Sequence, residues 1–378
     1  MIEGIRGHWD SGFDNVVHAF AATVKDERAG AALSVHLGGR AVVSVQSGAA
    51  DLDRPWEANT PAVIFSCTKG VAAVAIAMLL DRGLLGSLDE PLARYWPEFG
   101  VAGKSDVSVG DALAHRAGVP GPDRDLTLSE AIDGHTLAEN IAGRVPLWRP
   151  GTGYSYHTLS HGVITEQLML RIDGRTLGRF IAEEISGPLG IDLWLGADAE
   201  TAARRARPVL GDLSAPAMAI APDIAEAVVH FATFGGAFPA RLTDRDVGFD
   251  DPAVIASGLA GAAGLATADA VARFWGAVVD PREPLLSSSA RAALTALRGE
   301  GAPEYPTAPP PYHRWGAGVA LASDLRPMTS LAAFGHDGAG GQVAFADPGL
   351  GLGFAYLTNL MIDTARGDAV VRELRSAL

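Results

Sequence analysis

Cysteine is almost missing from this 378-residue chain: Cys67 stands alone, so no internal disulfide can form and a reducing compartment suits it. Lysine is nearly as scarce, limited to Lys25, Lys69 and Lys104, so the place of each one carries information. Excess positive charge is absent too. The 30 Lys and Arg against 44 Asp and Glu leave a formal net charge of −14, which argues against nucleic acid or an anionic membrane surface as partner. The apolar run 70–80 is too short to span a bilayer and reads as a core helix. The first ten residues hold no apolar stretch of signal-peptide length, so the cytoplasm is the expected location. No G-x-S-x-G elbow occurs anywhere, which argues against an α/β-hydrolase. What remains is 48% hydrophobic and 20% charged, ordinary for a soluble globular enzyme, and long enough to expect two lobes.

Ser66-Cys67-Thr68-Lys69 is the most informative stretch. Residues three apart on a helix share a face, so the Lys69 amine reaches the Ser66 hydroxyl. An amine held beside a hydroxyl in a dry site can take its proton and make it a nucleophile. Moving a lysine from ~10.4 to about 7 needs roughly 4 to 5 kcal/mol, and burial acts in that direction. The neighbours are apolar on both sides, from Pro61 to Phe65 and from Gly70 to Leu80. The bland alternative is a serine that caps a buried helix and a lysine that snorkels to the surface. Cys67 reads as a small buried residue on the far side of the helix start.

Strand patterns concentrate at the two ends and helical patterns fill the middle. Runs 31–37 and 41–45 flank Gly38-Gly39-Arg40 as a tight hairpin, preceded by helical spacing over 11–27. Helical character is expected over 84–122, 159–171, 177–185, 266–279, 287–297 and 363–378. Strand-like runs are expected at 316–320, 331–334, 342–346 and 353–357. The pattern predicts an α/β (α+β) fold: one antiparallel sheet flanked by terminal helices, plus a mainly helical lobe. Residues 1–65 and 305–378 would form the sheet lobe and 66–304 the helical lobe, with an irregular insertion near 198–250. That insertion and the proline-rich loop 302–312 are expected to shape an acyl pocket.

Two further constellations stand out. Trp148-Arg149-Pro150-Gly151-Thr152 leads into Gly153-Tyr154-Ser155-Tyr156-His157-Thr158, a loop whose tyrosines need partners. A tyrosine beside an ammonium has its pKa lowered and can shuttle a proton. Phe334-Gly335-His336-Asp337-Gly338-Ala339-Gly340-Gly341 lies between two expected strands, where glycines admit close approach and bare N–H groups can bind an oxyanion.

Together the three sets resemble the serine β-lactamase and penicillin-binding-protein superfamily, most closely its class C-like carboxylesterases of family VIII. Ser66-Cys67-Thr68-Lys69 matches S-x-x-K, Tyr156-His157-Thr158 stands where the family has Y-x-N, and His336-Asp337-Gly338 stands where lactamases carry K-T-G. The resemblance implies a β-lactamase/transpeptidase-like fold and an acyl-enzyme on Ser66, with Lys69 and Tyr156 as the proton-transfer pair. It implies an oxyanion hole from the N–H groups of Ser66 and Ala339, and substrate contacts from His336, Gly338, Thr158 and Trp148. The sequence leaves open which of Lys69 and Tyr156 is the formal base. No cofactor and no metal is implied.

Departures from the pattern bear on the substrate. His336 replaces a lysine that helps hold anionic drugs, and Thr158 replaces an amide. Both favour small neutral short-chain esters as the small-molecule substrate. The alternatives are a β-lactamase or D-amino-acid peptidase of the same fold, or a non-catalytic binding relative. His157 and His161 have zinc-like spacing, but the H-E-x-x-H glutamate is missing. His115 reads as a buried structural residue.

Overall fold

The computed structural model describes residues 2–25, 28–211, 222–239, 243–305, 309–362 and 365–378. Its main sheet has nine strands. Across the sheet the order is Arg6–Trp9, Arg40–Asp51, Gly30–Leu37, Leu352–Thr358, Gln342–Asp347, Phe334–Gly338, Ala320–Leu321 and Arg314–Trp315, with Arg54–Pro55 added on Arg40–Asp51. Every pairing is antiparallel. The two ends of the sequence meet where Gly30–Leu37 pairs with Leu352–Thr358.

Both faces of this sheet are covered, which explains why its central strands read as continuous apolar runs. On Leu352–Thr358, Leu352, Phe354 and Tyr356 pack with Val16, Phe20, Val370 and Leu374 of the terminal helices Asp14–Thr23 and Ala365–Ala377. The alternate residues Ala355 and Leu357, with Ala344 and Ala346, face the other core. Large side chains thus meet the terminal helices, and mostly small ones meet the inner layer. The inner helix Ala268–Val278 comes so close that a Cβ on Gly353 would lie 2.0 Å from the Ala272 carbonyl.

The inner layer also holds the helix Cys67–Asp81, whose residues 67–79 are all buried. A helix wrapped on all sides has no polar stripe to show. Among the described residues, no helix is long and apolar enough to cross a membrane.

Several expectations need correction. Region 84–122 is mostly loop and 3-10 turn, with one short α-helix, Val109–Leu113, capped by Ser108. Pro91, Pro97, Gly100 and Gly103 interrupt longer helices there. Two helices that the sequence reading omitted, Leu128–Ile132 and Gly134–Gly143, start from the caps Thr127 and Asp133. Within 198–250 lie helices Ala199–Ala203 and Pro222–Ala232 and a small hairpin. Residues 212–221 and 240–242 of that region, 306–308 of the proline-rich loop and 363–364 before the last helix lie outside the described residues.

The His336-Asp337-Gly338 motif is not in a loop. It ends the strand Phe334–Gly338, and the turn follows at Ala339-Gly340-Gly341. Gly335 serves close approach rather than turning, since a Cβ there would meet the Ala344 carbonyl at 2.1 Å.

Candidate active site

The approach to Ser66 is built by the chain just before it. Asn59-Thr60-Pro61 breaks the path, Ala62–Val63 pairs with Leu265–Ala266, and Ile64 N–H donates to the Gly264 carbonyl at 2.9 Å. Phe65 then takes a left-handed conformation, φ 43°, which costs an L-residue roughly 1 kcal/mol or more. That kink sets Ser66 at the helix N-terminus, where its side chain makes no capping bond. The hydroxyl of a half-buried serine is therefore left for other chemistry, and the capping alternative fails.

Lys69 does not reach the surface either; it is fully buried. Its Nζ lies 3.0 Å from Ser66 Oγ and donates to the Gly261 carbonyl at 2.7 Å. Burial lowers its pKa to about 7, with no carboxylate opposing the shift. In the neutral amine an N–H satisfies Gly261 and the lone pair is free to face the Ser66 hydroxyl. The same Nζ sits 5.0 Å from the centre of the Tyr156 ring.

Tyr156 is half-buried in the loop before the helix Ser160–Ile172. Its phenol is not acidified by Lys69. Desolvation dominates and pushes its pKa well up, although interaction with Ser66 pulls the other way. A lysine that is itself largely neutral offers little field to oppose that burial. The loop is held by His115, which also has positive φ (65°) and accepts from His157 N–H on Nδ1 at 3.2 Å. The His115 ring lies 4.7 Å from Tyr156 and 4.6 Å from Trp315, and Trp315 stacks on Tyr156 at 5.7 Å.

Strand alternation sorts the next motif. His336 faces the inner layer, 6.0 Å from Tyr156 between ring centres, and Asp337 faces the other way to pair with Arg326. His336 Nδ1–H donates to the Asp337 carbonyl at 2.8 Å, leaving Nε2 buried without a partner among the described residues. Burial takes its pKa down to about 3, so it is neutral. Gly338 has a packing reason: a Cβ there would lie 2.7 Å from the Ile64 carbonyl, against the segment that carries Ser66. Arg366 donates to the Gly340 carbonyl at 2.6 Å and so fixes the turn that holds Ala339. Among the described residues neither Ser66 N–H nor Ala339 N–H donates to a protein acceptor.

The remaining expected residues are placed less centrally. Thr158 is half-buried two residues after Tyr156. Trp148 donates to the Gly153 carbonyl at 3.2 Å and packs edge-on against His157, behind the Tyr156 loop. Cys67 is buried, donates to the His336 carbonyl at 3.3 Å, and has its thiol pushed well up by burial, so it is no thiolate nucleophile. His157 engages both ring nitrogens with backbone: Nδ1–H to the Ser155 carbonyl at 2.6 Å, and Nε2 from Val119 N–H at 3.3 Å. Among the described residues no group of three or more His, Cys, Asp or Glu converges as a metal set.

Sequence reading missed Gly261 and Trp315. Gly261 acts through a backbone carbonyl, which no side-chain pattern reveals. Trp315 sits before Gly316-Ala317-Gly318, and an aromatic entering a glycine-rich stretch was the one available signal.

The site also concentrates imidazoles. Burial depresses His115 and His161 well below normal, His157 and His313 to about 4, and His336 to about 3. A depressed histidine contributes stability that is fully present above its unfolded pKa and is lost as pH falls through the folded value. For His157 and His313 the change corresponds to roughly 3 kcal/mol each. The unfolding midpoint is therefore expected to drop steeply between about pH 6.5 and 4. A thermal melt series across that window checks it, and a flat profile contradicts it.

A family model described as Beta-lactamase matches residues 13–377. In sequence the chain is 31% identical over 368 residues to the esterase/beta-lactamase LipL of Mycobacterium tuberculosis, covering 95% of this chain and 83% of that one. In structure it superposes on a family VIII carboxylesterase with a TM-score of 0.87 at 29% identity, each chain covered in full. A penicillin-binding protein homolog from Caulobacter crescentus gives a TM-score of 0.86 at 30% identity, covering 99% of this chain and 100% of that one.

Proposed function

The chain belongs to the Beta-lactamase family, and from that premise we propose that it is a serine carboxylesterase that cleaves small neutral esters through an acyl-enzyme on Ser66. One observation carries the reading: a buried amine with a pKa of about 7 lies 3.0 Å from the Ser66 hydroxyl.

Neutral Lys69 takes the Ser66 proton as Oγ attacks the ester carbonyl. The N–H groups of Ser66 and Ala339 receive the oxyanion, an arrangement in which one donor is typically worth about 3 to 4 kcal/mol. The C–O bond to the alcohol then breaks. Tyr156, kept protonated by its raised pKa, gives its proton to the leaving oxygen and recovers one from the Lys69 ammonium. Water repeats the sequence on the acyl-enzyme, with its proton passing to the same pair. On this reading Lys69 is the acylation base and Tyr156 the relay.

The acid limb of kcat/KM is expected to be a single ionisation near pH 7, with activity rising as pH rises, because Lys69 must be neutral. A profile that is flat from pH 6 to 8 contradicts the assignment.

Neutral esters are favoured because His336, at the position of the K-T-G lysine, carries no charge to hold a carboxylate. Thr158 and Trp148 are offered as flanking contacts. A second reading, β-lactamase action, draws support from the likeness to the esterase/beta-lactamase LipL of Mycobacterium tuberculosis. Parallel turnover of p-nitrophenyl esters of rising acyl length and of nitrocefin tests both. Short-chain ester turnover exceeding nitrocefin turnover by at least ~100-fold in kcat/KM is expected, a gap of about 3 kcal/mol in transition-state binding. The reverse ranking overturns the esterase reading.

A further inference from the structure

One cavity of the helical region does not include Ser66, Lys69 or Tyr156 in its lining. It encloses about 550 Å³ between the helices Gly134–Gly143 and Ser160–Ile172 and the loop 257–260. Leu137, Ala138, Val163, Leu170 and Leu259 give it an apolar body. One carboxylate stands in this wall without a cationic partner. Glu166 is half-buried and accepts from Leu177 N–H at 3.1 Å, and among the described residues no basic side chain pairs with it.

The other charges around it are paired or exposed to solvent. Glu98 pairs with Arg171 at 3.1 Å, and Arg171 also donates to Gln167 at 2.6 Å. Glu139 is exposed to solvent, with the His135 ring 3.3 Å away. Glu166 also lines a second cavity of about 430 Å³, whose Arg179 is engaged by Glu183 at 2.8 Å. Glu166 is thus a half-buried carboxylate with no basic partner among the described residues, lining both cavities. Taking a carboxylate from water without a partner is costly, and burial accordingly raises its pKa. A protein keeps such a group where something else completes it.

We propose that this cavity binds an organic cation with a hydrocarbon body, its ammonium against Glu166 and its chain among Leu137, Val163, Leu170 and Leu259. An anion of the same shape meets Glu166 with like charge. A neutral ligand fills the volume but leaves the carboxylate uncompensated. Ser66, Lys69 and Tyr156 do not line the cavity.

Calorimetric titration of the full chain with octylammonium tests the proposal, with octanoate and 1-octanol as chains of equal length. Octylammonium is expected to bind saturably with one-to-one stoichiometry, 1-octanol at least ~10-fold more weakly, and octanoate not at all. Glu166→Gln keeps an acceptor for Leu177 N–H and is expected to weaken octylammonium at least ~10-fold. Ala138→Trp fills the cavity and is expected to abolish binding, with ester turnover unchanged in both variants. Unfolding midpoints establish that the variants are folded. Should Glu166→Gln not fold, the charge comparison on the natural chain and Ala138→Trp still decide. No saturable binding, equal binding of octanoate, or binding that survives Ala138→Trp overturns the proposal, as does equal affinity in a folded Glu166→Gln protein.

Discussion

Ser66→Ala is expected to lower kcat for p-nitrophenyl butyrate by on the order of 10⁴ to 10⁶-fold, the range seen when a serine hydrolase loses its nucleophile. No second nucleophile stands by: Cys67 is buried with a thiol held protonated, and its sulfur points at the His336 carbonyl. Stability should fall only modestly. Ser66 makes no capping bond, and Lys69 keeps its bond to Gly261 when the hydroxyl is gone. A loss of about 1 kcal/mol is expected, from the hydrogen bond that the hydroxyl makes with Lys69. Burst kinetics and a urea melt on the same preparation read both quantities. A variant that turns over at a tenth of the natural rate or better removes Ser66 from the chemistry.

Lys69→Arg is expected to cost at least ~10³-fold in kcat/KM, because a guanidinium does not deprotonate in proteins and cannot serve as base. It keeps the positive charge, so it separates proton transfer from simple electrostatics. The acid limb near pH 7 should vanish with it. Stability gives an independent reading through Lys69→Met. The folded pKa of about 7 lies below the unfolded value, so the unfolded chain binds the extra proton between those values. The penalty is complete below about pH 7 and fades as pH rises toward ~10.4; a shift of that size corresponds to roughly 5 kcal/mol. Lys69→Met removes that penalty and loses one hydrogen bond, so a net gain of a few kcal/mol is expected at pH 6, shrinking toward pH 10. A methionine variant no more stable than the natural chain at pH 6 contradicts the burial argument.

The convergence of Ser66, Lys69 and Tyr156 was legible because its constraints are local or chemical. Ser66 and Lys69 share a helix face, a matter of spacing, and the apolar sequence around them already implied a dry lysine. The terminal strands and helices were legible from periodicity, and the sheet joins both ends as expected. The direction of the Tyr156 shift was not. It depends on whether the nearby amine is charged or the phenol is desolvated, and burial outweighs the attraction. The His336 motif was placed in a loop because glycines usually mark turns. Here Gly335 and Gly338 serve close backbone approach inside and at the end of a strand. Helices Leu128–Ile132 and Gly134–Gly143 were overlooked because each is short and depends on its cap, Thr127 or Asp133.

The seam between Gly30–Leu37 and Leu352–Thr358 has a consequence for biosynthesis. The Gly30 N–H finds its acceptor on Asn359, 329 positions later. During vectorial translation the first hairpin leaves the ribosome without its central neighbour, and the oily Cys67–Asp81 segment emerges long before the strands that will cover it. Contacts of such separation form slowly, and the uncovered apolar surface meanwhile invites chaperones or aggregation. A nascent chain stalled short of residue 352 cannot assemble the sheet that seats His336 and Ala339 beside Ser66. The residues proposed for the chemistry therefore stay apart until the strand 352–358 has emerged and paired.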